Sequence, residues 1–163
     1  MLEGLVMEAE IVELMESPCS LIVGTVDDDG LPDATRGWGA QVLDGGTKLR
    51  LLLSANANVS VANLRSTGRI ALTATNFVTF DSVQVKGVAL AVEEATDADR
   101  ARFEKFCAEC VRTLHEVDGT PEALIWRFMP SGVIACIMTA DELFDQTPGP
   151  GAGKCLTSSR AKP

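Results

Sequence analysis

The chain has one histidine among its 163 residues, with no serine or cysteine beside it that would form a hydrolytic triad. A Gly-x-Ser-x-Gly nucleophile turn is also missing. Basic residues are scarce: 14 Lys and Arg against 23 Asp and Glu leave a net charge of −9 and a pI near 4.6. Binding to nucleic-acid phosphates or to an anionic membrane surface needs clustered Lys and Arg, so neither partner is expected. No apolar run reaches the roughly eighteen residues that a spanning helix requires. The first residues mix Glu3, Glu8, Glu10 and Glu13 with apolar ones and carry no basic stretch, unlike a secretory leader. A cytoplasmic location is the expectation. There is no internal repeat. The five cysteines are odd in number and scattered among apolar residues, which suggests reduced thiols rather than a disulfide framework.

The length suits one domain with a real core. The charge is divided: Gln146 to Pro163 holds Lys154, Arg160 and Lys162 with no acid, so a body at −12 carries a tail at +3. We take residues 1–145 as the domain and 146–163 as a Gly/Pro-rich tail. The tail either folds back on the body or a partner, or is a disordered terminus.

Hydrophobic spacing from Leu2 to Glu16 predicts an amphipathic helix, stopped by Ser17-Pro18. Strands are predicted over Cys19–Val26, Asp33–Leu43, Lys48–Ser54, Arg69–Thr75 and Asp81–Glu93. Asp29-Gly30 and Asp44-Gly45-Gly46-Thr47 provide tight turns. Gly87 breaks the alternation of the fifth strand and marks a candidate bulge. Thr96 should cap a longer helix reaching about His115, with Asp97 and Asp99 in its first turn. A final pair of strands is predicted over Ala123–Met129 and Val133–Thr139. Hairpins rather than βαβ crossovers join these strands, so the sheet should be antiparallel. Seven short strands closing on themselves give a small mainly β barrel with flanking helices.

The most informative stretch is Leu49 to Arg65. It reads as an apolar strand ending at Ser54, a small polar turn, and a helix from Val59 that Asn58 is placed to cap. Free N–H groups and the helix dipole make such a start a seat for phosphate. An ordinary strand–turn–helix cap has the same appearance, so the motif alone does not decide.

In order and spacing, these segments resemble the FMN-binding split barrel of the pyridoxamine 5'-phosphate oxidase superfamily, closest to its small flavin-binding members. The resemblance rests on Leu21-Ile-Val-Gly-Thr-Val with Asp29-Gly-Leu-Pro-Asp, and on Thr35-Arg-Gly-Trp-Gly-Ala-Gln-Val-Leu-Asp-Gly. It continues through Val61-Ala-Asn-Leu with Arg69-Ile-Ala-Leu-Thr, Val83-Gln-Val-Lys-Gly-Val-Ala and Val133-Ile-Ala-Cys-Ile. It covers about residues 15 to 145, and no single motif is diagnostic.

The resemblance implies a closed antiparallel split β-barrel. It also implies a homodimer with flavin at the subunit interface, and an FMN-dependent oxidoreductase acting on a small-molecule substrate or taking electrons from a donor such as NAD(P)H. The phosphate would lie at Ser54, Ala55, Asn56, Asn58 and Ser60. The ring would lie along Thr35, Arg36, Gly37 and Trp38, with Gln84 and Lys86 reaching the ring edge or the phosphate. Gly37 and Gly39 would give backbone access, Trp38 a stacking surface and Arg36 a fork-shaped cation. No protein acid or base is expected to be essential, since the flavin carries the chemistry.

One departure stands out. The small members carry Lys where this chain has Val59, and a charge-assisted contact is worth about 1.5–3 kcal/mol. Weak FMN binding, binding of another flavin or a deazaflavin, and loss of the cofactor are all compatible with that change. Two rival functions remain. One is a non-catalytic module holding flavin, haem or another ligand. The other is a thiol or metal redox sensor through Cys107 and Cys110, which sit as CxxC inside a helix where core packing is the plainer explanation. Gly149-Pro-Gly-Ala-Gly-Lys154 imitates a phosphate loop but lacks its spacing and its helix.

Overall fold

A computed structural model describes residue 5 and residues 7–157. Its frame is a sheet of strand order β4-β1-β2-β3-β6-β5-β7, in which β4 also pairs with β5. That pairing closes six antiparallel strands into a barrel, and the seventh lies outside the ring. The strands are β1 (Ser20–Val26), β2 (Pro32–Leu43), β3 (Lys48–Ser54), β4 (Arg69–Thr75), β5 (Ser82–Glu94), β6 (Val133–Thr139) and β7 (Glu142–Asp145). The helices are α1 (Ala9–Glu16), α2 (Asn58–Ser66), α3 (Asp97–Asp118) and α4 (Glu122–Trp126).

Period-two alternation builds the wall. Val23, Leu51, Leu72, Val85 and Met138 are fully buried in the core. Turns close where the sequence offers them. Asp27 accepts N–H bonds from Asp29 and Leu31, and Gly30 adopts φ +85°. Strand β5 is long enough to serve two neighbours: Ser82–Val88 pairs with β4, and Ala89–Glu94 pairs with β6.

The expectations need three corrections. The first helix starts at Ala9, not near Leu2; Glu8 is extended at φ −63° and ψ 151°. Met7 is buried, and its backbone passes Gly46 where a Cβ would collide, so this stretch is drawn into the core instead of coiling. Residues 1–4 and 6, which that prediction included, lie outside the described residues. Second, Ala123–Met129 is not a strand. Pro121 starts a turn whose carbonyl accepts from Leu124 and Ile125, giving α4; so short an apolar run carries no decisive period. The seventh strand is instead the four-residue β7, paired with Val83–Lys86. Third, the bulge in β5 lies between Ala89 and Ala91, not at Gly87. Gly87 is required because a Cβ there would overlap the Thr139 carbonyl. The tail, for which both alternatives stood open, is folded back as far as it is described: Phe144 bridges Cys155 and Leu156 donates to the Leu143 carbonyl. Residues 158–163 lie outside the described residues.

Helix α3 is fixed at its start. Thr96 and Asp99 form a reciprocal capping box. The Asp99 carboxylate, 1% exposed, also receives Arg50 from β3 through Nε at 2.8 Å and a terminal nitrogen at 2.6 Å. Arg102 adds a bond at 3.1 Å, and Glu93 takes the other arm of Arg50 at 2.7 Å. Arg50 holds the Asp99 carboxyl well below the usual carboxylate range. Removing one partner of a buried pair strands the other, at a cost of about 3–5 kcal/mol. Asp99→Ala should lower the unfolding free energy by about that amount in urea titration. Because the folded pKa is depressed, this contribution is complete above the unfolded carboxylate value near ~4 and fades as pH falls below it. The gap between wild type and Asp99→Ala should therefore narrow in acid and stay constant from about pH 5 to 8.

Candidate functional site

The outer face of β2 carries the first half of the site. Arg36 points outward from the barrel, in register with Ile22 of β1. Among the described residues, no carboxylate pairs with it. Thr35 is on the opposite side of the strand, level with Val23. Trp38 is half-buried at an irregularity where β2 shifts register against β3 between Gly37 and Ala40. This bend opens a cavity of about 310 Å³ bounded by Arg36, Gly37 and Trp38, by α3 and by α4.

The two glycines are also set by the scaffold: packing at Gly37 and a positive φ of +129° at Gly39. A Cβ on Gly37 would sit 2.8 Å from that of Leu21, and Gly39 lies under Leu52 and Phe106.

The second half is the turn after β3. Gly37 pairs with Leu53, so the end of β3 at Ser54 runs alongside Arg36. Ser54 accepts from Asn56 N–H through its hydroxyl and from Ala57 N–H through its carbonyl. These bonds tighten the turn and start the helix one residue early. Ala57 holds the cap position with no side-chain cap, and Asn58 is the first helical residue, contrary to its expected capping role. Ser60 is fully buried and donates to Asp33 at 2.6 Å, so its hydroxyl ties α2 to β2 and does not face outward. Ala55 and Asn56 are exposed. The N–H groups of Val59 and Ser60 fall in the first turn, where an α-helix supplies no carbonyl for them. Val59 is 60% exposed.

Gln84 and Lys86 do not join this group within one chain. The register runs Arg36–Ile22–Thr73–Gln84 across four strands, about 14 Å at ordinary strand spacing. Gln84 donates to Thr73 at 3.0 Å, and the Lys86 ammonium sits 4.6 Å above the Phe144 ring. Between them and Arg36 the outer surface is nearly flat, with Ala34, Gly24 and Ala71 in one row and Ile22 beside it.

Four of the five cysteines are core residues. Cys19, Cys107, Cys110 and Cys136 are buried, and burial pushes the Cys19 and Cys107 thiols up to about 12 and that of Cys136 to about 11. Burial raises Cys110 as well. Such thiols carry almost no thiolate at neutral pH. His115 bonds the Thr120 carbonyl through Nδ1 at 2.9 Å. Among the described residues, no three His, Cys, Asp or Glu side chains are grouped to hold a metal, and no helix is long and apolar enough to cross a membrane.

Phe106, Cys110 and Leu114 of α3 line the cavity together with Phe77 and the α4 segment, a wall that the strand expected over Ala123–Met129 does not suggest. Mistaking α4 for a strand removed the signal.

A closed six-strand antiparallel barrel with an extra strand and flanking helices defines the split-barrel class. Residues 7–136 match the family described as pyridoxamine 5'-phosphate oxidase, and the chain belongs to that family. The fold is also that of solved structures at low identity. A putative pyridoxamine 5'-phosphate oxidase from Lactobacillus delbrueckii is 19% identical, with TM-score 0.54 over 88% of this chain and 97% of that one. An F420 reductase is 17% identical, with TM-score 0.53 over 85% and 98%. An FMN-binding protein from Syntrophomonas wolfei is 13% identical, with TM-score 0.50 over 83% and 85%. No curated protein matches the chain.

In a thiol-reagent assay at neutral pH, the exposed Cys155 should react at once and the other four only on unfolding. Rapid modification of Cys107 or Cys110 in folded protein would contradict the core assignment.

Proposed function

We propose that this chain is a flavin-binding oxidoreductase that works as a homodimer, with FMN or a deazaflavin in a groove completed by the second copy. The reading is supported by three features: an apolar slot beside Trp38, an Arg36 with no carboxylate partner among the described residues, and, after the strand that runs beside Arg36, a helix start with no side-chain cap. A flat apolar ring bearing an anionic phosphate needs that combination.

The ring part of the fit is good. The phosphate part is leaner than the sequence implied, because Val59 stands where small family members have Lys and Ser60 is spent on Asp33. Ser54, the first-turn N–H groups of α2 and Arg36 would hold the phosphate. A bound flavin supplies hydride or single-electron transfer. The chain's own part is to orient the ring against Trp38, exclude water from its apolar side, and place the Arg36 charge near the phosphate or the reduced ring. NAD(P)H is the proposed electron donor.

Gln84 and Lys86 support the second copy. They lie too far from Arg36 in one chain, and the flat row of Ala34, Gly24 and Ala71 between them suits a partner face. A partner packed there would bring its own polar strand to the groove.

Val59 also favours a second reading, in which the same barrel holds a ligand without catalysing a reaction. Flavin absorbance of the purified protein and its bleaching by NAD(P)H separate the two. Colourless protein that takes up no FMN would sink the flavin reading.

Arg36→Ala should weaken FMN by about ten- to a hundredfold, and Val59→Lys should strengthen it by a similar factor, read by flavin fluorescence titration. Cys107→Ala should leave FMN affinity nearly unchanged. Gly24→Arg should leave the barrel folded, since a Cβ there meets nothing nearer than 3.9 Å. It should nevertheless give a monomer in sedimentation and weaker FMN binding.

A further inference from the structure

We infer that the α4 segment is a lid over the flavin slot, and that Phe128 closes on the bound ring. The inference rests on the flavin reading and adds to it a conformational step.

The slot is left open beside this segment. Leu124, Ile125, Phe128 and Met129 line it. Ile125 is buried, and the helix packs on α3. Leu124 and Phe128, four residues apart and so neighbours on one face, are 46% and 72% exposed although they border the slot. Large apolar side chains at the mouth of an apolar slot have surface still to bury. An aromatic face also stacks well on a flat ring.

The attachments suit movement. At one end Gly119, left-handed at φ +74°, terminates α3. Thr120 follows, with its N–H donated to Asp118 and its carbonyl bonded by His115. At the other end the Gly132 carbonyl accepts from Ala55 N–H at 3.0 Å, in the turn after β3. Between these anchors, among the described residues, the hydrogen bonds of residues 121–131 stay within the segment. No polar contact to the barrel has to break for it to swing. A helix of five residues is too short to hold itself, so apolar contacts set its position. Segments held in this way are the first to open in a fold, and lids are drawn from them.

The test measures amide hydrogen exchange along the whole chain, with and without FMN, together with the rate of FMN release. In free protein the amides of residues 122–129 should exchange far faster than those of β2 and the middle of α3. Saturating FMN should slow them at least about tenfold. Phe128→Ala removes a side chain that the free fold hardly uses, so the melting midpoint should not move. FMN should nevertheless leave at least about tenfold faster, with its association rate little changed.

FMN that binds while residues 122–129 exchange at the same rate in both states would overturn the lid and leave the flavin reading standing. A release rate from Phe128→Ala equal to that of wild type would do the same. Protein that takes up no FMN would overturn the flavin reading, and the lid with it.

Discussion

The clamp between Arg50 and Asp99 is the contact on which the site depends. One residue lies on the barrel wall and the other in the first turn of a 22-residue helix. Their bidentate bond fixes where that helix starts, and so where its far end lies about six turns later. The C-terminal half of α3 and the segment after it form one side of the cavity. A displaced start would shift that wall against Trp38. The aspartate is also part of the helix cap, so a single carboxylate serves local geometry and long-range attachment together.

The groove is built by a local irregularity in an otherwise regular wall. Strand β2 runs in register with β1 up to Gly37 and then shifts against β3. The shift leaves Trp38 half-buried beside open space. Gly37 permits this by giving way to Leu21, and Gly39 by adopting φ +129°.

Much of this was legible in the sequence. The hairpin at Asp29-Gly30, the strand Lys48–Ser54 and the Thr96 cap were readable because each depends on neighbours in the chain. The order of strands was enough to suggest a closed antiparallel barrel. What escaped was decided at a distance. Asn58 lost its cap role to hydrogen bonds made by Ser54, and Ser60 turned inward to Asp33, 27 positions away. The stretch after Pro121 was too short for its period to speak, so the wall it makes stayed hidden. Gln84 and Lys86 fell on the expected strand and face, but the sequence could not show that two strands separate them from Arg36.

The closure of β4 onto β5 has one more consequence. The six strands of the ring present no unpaired edge on which another chain could add a strand, while β7, outside it, is bridged to Cys155 of the tail. An association with the barrel wall must therefore be written in side chains on the outside of the cylinder. Such a surface can be redrawn one substitution at a time while the fold beneath is untouched, which lets a common scaffold acquire or lose companions without relearning how to fold.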